Sequence, residues 1–278
     1  MTKLIPLTTS LVLLFSFGLA QAQDAGAAKI PPSAEAATKA LTSSPRHGEF
    51  IDIPAGDAKI HTFVAYPERK EKAPVVIVIH EIFGLTDWVR GVADQLAAEG
   101  FIAVAPDMLS GKGPNGGGTE SFSGDDVRGA VKNLSPEEVE KRLNAVRDHA
   151  MKLDAANGKT ATIGFCWGGS QSITYATKQP GLNAAVIYYG TAPKEKDSLA
   201  KVNCPVIGFY GGDDARVTST VAATEATMKE LNKSFAQHTY DGAGHGFLRQ
   251  QSGKDGANQK AAEGAWKETV AFLKKHLE

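Results

Sequence analysis

With 278 residues, 42% of them hydrophobic and 22% charged, the chain is long enough for one globular domain with a sizeable core and too apolar for disorder over most of its length. Its 30 basic and 31 acidic residues give a formal net charge of -1, which removes the electrostatic case for nucleic acid or an anionic membrane surface. A small molecule is the natural partner.

The N-terminus reads differently from the rest. Lys3 gives a positive start, Leu11 to Leu19 is apolar, and Ala20-Gln21-Ala22 places small residues at a cleavage spacing, so residues 1–22 are expected to be a signal peptide cut before Gln23. The apolar part is shorter than the ~20 residues a spanning helix needs. No second run approaches that length, so the mature protein is expected to be exported, periplasmic or secreted, with no membrane span. Residues 23–46, rich in Ala, Ser, Pro and Lys without a sustained period, read as a flexible leader. The folded domain is expected over residues 47–278.

Two strands, Glu49 to Ile53 and Ile60 to Tyr66, flank a turn at Ala55-Gly56-Asp57, and the β-branched run Pro74 to Ile79 marks a strand covered on both faces. Helix and strand patterns then alternate: Trp88 to Glu99, Phe101 to Ala105, Pro136 to Leu153, and the strand Ala161 to Phe165. They continue through a helix at Ser170 to Lys178, strands at Ala184 to Tyr189 and Val206 to Tyr210, and a helix at Thr218 to Asn232. A strand at Phe235 to Tyr240 and a helix at Gln259 to His276 close the chain. That order predicts an α/β domain with a doubly wound, mostly parallel sheet, an antiparallel start and helices on both faces. The glycine-punctuated segment Leu109 to Asn133 is longer than a connection needs and reads as either a lid over a site or a surface excursion.

The strand Ala161 to Phe165 runs into Gly164-Phe165-Cys166-Trp167-Gly168 and then a helix, the pattern of a nucleophile elbow with sulfur in place of serine oxygen. Side chains two positions before and after the nucleophile would collide across so tight a turn. A helix N-terminus beside Cys166 favours thiolate. Cys204 precedes the strand Val206 to Tyr210 and so belongs at the opposite edge of the sheet, a strand's length of ~17–20 Å away, which argues against a disulfide.

A thiol nucleophile needs a base and a group that orients the base. Nucleophile, acid, histidine is the chain order of α/β hydrolases, and His245 in Asp241 to Phe247 follows the last strand on a glycine-rich loop. In Gly211 to Val217, Asp213 and Asp214 compete for the acid's role; Asp214 is preferred because it falls three before Val217, which can pack inward and fix the turn. His80-Glu81-Ile82-Phe83-Gly84 follows the central strand, where this fold places its second oxyanion donor, so the backbone N–H groups of Ile82 and Trp167 are the expected donors. A carboxylate at Glu81 can accept the nucleophile's proton or hold an arginine away from it.

Taken together, His80 to Gly84, Gly164 to Gly169, Gly211 to Val217 and Gly244 to Arg249 resemble the dienelactone hydrolase family of the α/β-hydrolase fold, from about Gly48 to the C-terminus. The resemblance implies a Cys166, His245, Asp214 triad that needs no metal or organic cofactor. Glu81 would take the thiol proton when an anionic substrate displaces it from its arginine. Arg249 matches a family arginine that binds the substrate carboxylate, and Arg128 matches a second one, although Lys132 stands where the family has a tyrosine. The implied activity is hydrolysis of an ester or lactone, with a carboxylesterase or thioesterase on neutral substrates, or a non-catalytic exported binder, as alternatives.

Overall fold

Ala55 pairs with Ala58 across a tight turn, and the hairpin so made starts an eight-stranded sheet. The computed structural model describes Met1 and residues 30–278. The signal peptide expected over residues 1–22 and the first part of the leader, to residue 29, lie outside the described residues, Met1 apart. Chain order is α1 (Ala37–Thr42), β1 (Gly48–Ala55), β2 (Ala58–Ala65), β3 (Ala73–Ile79), α2 (Asp87–Ala98), β4 (Ile102–Pro106), α3 (Asp126–Lys132), α4 (Pro136–Ala150), β5 (Ala156–Phe165) and α5 (Trp167–Ala176). Then follow β6 (Ala184–Tyr188), α6 (Lys196–Leu199), β7 (Val206–Gly211), α7 (Ala215–Glu230), β8 (Phe235–Tyr240) and α8 (Ala257–Leu277). The sheet order is β1-β2-β4-β3-β5-β6-β7-β8, antiparallel through β2 and parallel from β4 to β8.

Alternation along β3 shows why the run is apolar throughout. Val76 and Val78 enter one core with α2 and α8, whereas Val75, Ile77 and Ile79 enter the other with α4, α5 and α7. Both faces are therefore covered, as a parallel sheet requires. In α4 the Ser135 hydroxyl accepts from the Glu138 N–H at 3.2 Å and Pro136 occupies the first turn, so the start of this helix is fixed by its own sequence. The six strands β3 to β8 run the same way, which gathers the loops after β3, β5, β6, β7 and β8 at one edge. Among the described residues no helix is long and apolar enough to cross a membrane.

Two expectations are corrected. Residues 30–46 are not a free tether: Pro32 and Ala37 pack on α2 at Gly91, where a Cβ would press into the Pro32 ring. Glycine costs a helix interior about 1 kcal/mol relative to alanine, and at Gly91 that cost permits the close approach. Thr38 donates to Asp87 and Arg46 Nε to Asp94 at 3.0 Å, and the Ala34 N–H donates to the Arg249 carbonyl at 3.0 Å. The segment 109–133, for its part, is anchored and partly helical. Asp107 accepts from the Thr119 N–H and hydroxyl, both at 2.6 Å, and α3 forms within the segment.

Candidate active site

β5 ends at Phe165, whose ring is locked between Trp88 and Tyr188 at centroid distances of 4.9 and 5.1 Å. Cys166 then takes φ 54° and ψ -114°, a conformation costing of order 1–3 kcal/mol that persists only where the surroundings impose it. Here they do: the Cys166 N–H donates to the Tyr188 carbonyl at 3.0 Å, and its carbonyl accepts from the Ser170 N–H at 3.2 Å. Helix α5 begins at Trp167, three residues earlier than the sequence pattern indicates, so the Trp167 N–H points at the sulfur from the first turn. Both cysteines are free, and Cys204 is buried before β7 as expected.

Asp214 caps the start of α7 with its carboxylate turned inward, and His245 reaches it from the loop after β8. His245 Nδ1 lies 2.5 Å from Asp214 Oδ2, so Nδ1 carries the proton and Nε2 is left as the basic nitrogen. Asp213 instead faces outward and pairs with Lys254 at 3.0 Å. Val217, three residues after Asp214, packs inward at 1% exposure, as the spacing predicts.

Glu81 is 2% exposed at the end of β3, and Arg249 Nε sits 2.7 Å from its Oε2. The Nε–H is not directed squarely at the oxygen, so the contact is a charge pair more than a formed hydrogen bond. Burial pushes the Glu81 carboxyl up to about 7 in spite of the guanidinium. The Cys166 thiol is also raised, first by burial and then by the Glu81 charge, while the Trp167 N–H and the Arg216 charge act the other way. The resting site therefore holds a neutral thiol beside a carboxyl that titrates near neutrality. Phe83 lies between two cations, with Arg249 4.8 Å and Arg128 5.0 Å from its ring centre, so Arg128 does border this side of the site; it also pairs with Asp125 at 3.3 Å.

His80 fixes the turn that carries Glu81 and Ile82. It is fully buried, its Nδ1 donates to the Glu81 carbonyl at 2.7 Å, its Nε2 accepts from the Met108 N–H at 3.2 Å, and its ring stacks on Trp167. Burial lowers its proton affinity, which keeps it neutral in this bridging role. Ile82, half-buried in the same turn, is thus held beside the start of α5.

A raised thiol has a measurable consequence. Iodoacetamide should alkylate Cys166 of the ligand-free protein slowly at mildly acidic and neutral pH, with a rate still climbing at alkaline pH, because only thiolate reacts. Rapid, pH-independent labelling near pH 6 would show a resting thiolate instead.

With this geometry in view, the likeness to known proteins is informative. A family model described as the dienelactone hydrolase family matches residues 60–277. The chain belongs to the dienelactone hydrolase family. It is 30% identical over 249 residues to a protein of Salmonella typhimurium bearing the name carboxymethylenebutenolidase, covering 84% of this chain and 86% of that one. A similarly named Escherichia coli K12 protein is 28% identical over 243 residues, covering 82% and 86%. A crystal structure titled as a dienelactone hydrolase from Klebsiella pneumoniae superposes with a TM-score of 0.73 at 26% identity, over 82% of this chain and 98% of that one. The fold is the α/β-hydrolase fold, and the enzyme class that comes with the family is hydrolysis of carboxylic ester or lactone bonds.

Within this dienelactone hydrolase family member, two neighbours of the thiol escaped the sequence reading. Tyr189, 1% exposed and at φ 42°, sets its ring against His245 at 5.1 Å, and its hydroxyl meets no protein partner among the described residues. The signal was present in Tyr188-Tyr189-Gly190 at the end of β6, beside the elbow, but a tyrosine after an apolar strand reads as core. Arg216, on the first turn of α7, places Nη2 3.4 Å from His245 Nδ1. Tyr189 and Arg216 thus both border His245.

Proposed function

We propose that the chain hydrolyses a carboxylate-bearing ester or lactone by a cysteine mechanism with Cys166 as nucleophile, His245 as base and Asp214 as its orienting acid. The observation that carries this reading is buried Glu81, paired with Arg249 and close enough to Cys166 for its charge to raise the thiol. A substrate carboxylate competing for Arg249 frees Glu81, whose carboxyl near 7 is basic enough to take the thiol proton. The thiolate attacks the carbonyl carbon, and the N–H groups of Ile82 and Trp167 receive the developing oxyanion. The C–O bond then breaks to leave a thioester. The leaving oxygen takes a proton from solvent as it departs; water then adds to that thioester with His245 Nε2 as base, and the ring returns that proton to solvent. The departing thiolate recovers its own proton from Glu81, so every group ends as it began. Arg128, across Phe83 from Arg249, lies where it can add to the attraction for an anion.

Arg249→Ala separates this reading from a general carboxylesterase acting on neutral esters. A charge-assisted hydrogen bond contributes about 1.5–3 kcal/mol, so KM for anionic lactones should rise roughly 10- to 100-fold while neutral aryl esters change far less. Equal losses on both classes would reject carboxylate binding at Arg249.

A further inference from the structure

Along one face of α7 runs a groove of about 430 Å³, closed on its other side by the segment from Thr191 to Lys194 and floored by Leu199. It begins beside the candidate active site. The Thr191 N–H donates to Ser170 Oγ at 2.8 Å, and Ser170 is one turn along α5 from Cys166; Ser219, at the same end of the groove, is one turn along α7 from Arg216. From Ser219 to Thr227 the lining face of α7 extends about 12 Å.

The lining is rich in threonine, which suggests a polar groove, but the hydrogen bonds say otherwise. Thr220 Oγ1 donates to the Val217 carbonyl at 2.7 Å, Thr224 Oγ1 to Thr220 at 3.1 Å and Thr227 Oγ1 to Ala223 at 2.9 Å. Each hydroxyl hydrogen is thereby directed back into its own helix, an arrangement that leaves methyl groups and weak acceptors for an occupant. With Ala223 and Leu199 completing the wall, an acceptor-rich group finds few donors along this face of α7, and an aliphatic chain loses little. Lys194 supplies the one charge among the lining residues and is exposed at the rim.

We infer that this groove is an extended substrate subsite for an unbranched aliphatic chain attached to the scissile carbonyl. The inference rests on the cysteine-hydrolase reading above and deepens it by naming a substrate class. At C–C bonds of ~1.5 Å, a length of about 12 Å accommodates roughly eight to ten chain carbons.

The test is a series of p-nitrophenyl esters from acetate to decanoate on the mature protein. Burial of methylenes should raise kcat/KM about two- to fourfold per added carbon up to octanoate, followed by a plateau. Ala223→Trp, which fills the groove from an exposed helix position, should bring the octanoate-to-acetate ratio close to one, and Thr224→Trp should repeat the effect. Calorimetric titration of the Cys166→Ala protein with the octanoate ester reads occupancy without turnover and should give tighter binding than acetate, a difference that Ala223→Trp removes. A flat chain-length profile, or a rise that survives both tryptophan variants, overturns the subsite while leaving acetate hydrolysis by Cys166 intact. Chain-dependent binding without any Cys166-dependent turnover would uphold the groove and sink the catalytic reading.

Discussion

Cys166→Ala is expected to lower kcat/KM for a small activated aryl ester by roughly 10³-fold or more, leaving only what the oxyanion donors and binding supply. Alanine is a fair test because the fold imposes φ 54° at this position on any residue: the backbone is held by the Tyr188 carbonyl and the Ser170 N–H, not by the side chain. Cys166→Ser makes a sharper comparison. Glu81, with a carboxyl near 7, can deprotonate a thiol but not the far weaker acid that an alcohol is, so serine should also be strongly impaired despite its similar shape. Turnover within a few-fold of the parent protein in either variant would remove the cysteine from the reaction.

Gly168→Ala should lose about 2 kcal/mol or more of stability, and the direction is the informative part. Helix propensity by itself favours alanine in α5 by about 1 kcal/mol. A Cβ at Gly168, however, would overlap the carbonyl oxygens of Ile79 and His80, both backbone atoms at the end of β3. Those atoms have no rotamer to yield, and overpacking typically costs about 1–3 kcal/mol, occasionally more, which outweighs the propensity. Displacement of α5 also moves the turn bearing Glu81 and Ile82, so activity should fall further than stability alone explains. A lower denaturant midpoint at unchanged slope is the expected reading. An equal or higher midpoint would mean that α5 and β3 do not approach as closely as they stand here.

The same residue shows how the sequence and the fold speak to each other. Gly164 and Gly168 announced an elbow because the spacing has a steric cause, and Asp214 could be told from Asp213 because Val217 must face inward. The docking of residues 30–46 was hidden for a physical reason: it depends on a few contacts, Pro32 and Ala37 on Gly91 and the bonds from Thr38 and Arg46, none of which imposes a period. The glycines between Leu109 and Asn133 concealed α3, since Asp107, a residue outside the segment, supplies the anchoring through Thr119. Tyr189 and Arg216 carry no motif at all. They matter through where β6 and α7 end relative to His245, which only the assembled sheet edge reveals.

Residues on the loops after β3, β7 and β8 gather at the end of the sheet where Cys166 stands, and the chemistry assigned to its sulfur can be trapped. A slowly turned-over activated ester, quenched in acid during the steady state and followed by peptide mass spectrometry, should leave one acyl group on the peptide containing Cys166, bound as a thioester that hydroxylamine removes. An acyl group on Ser170 or elsewhere, with Cys166 unmodified throughout turnover, would contradict the account.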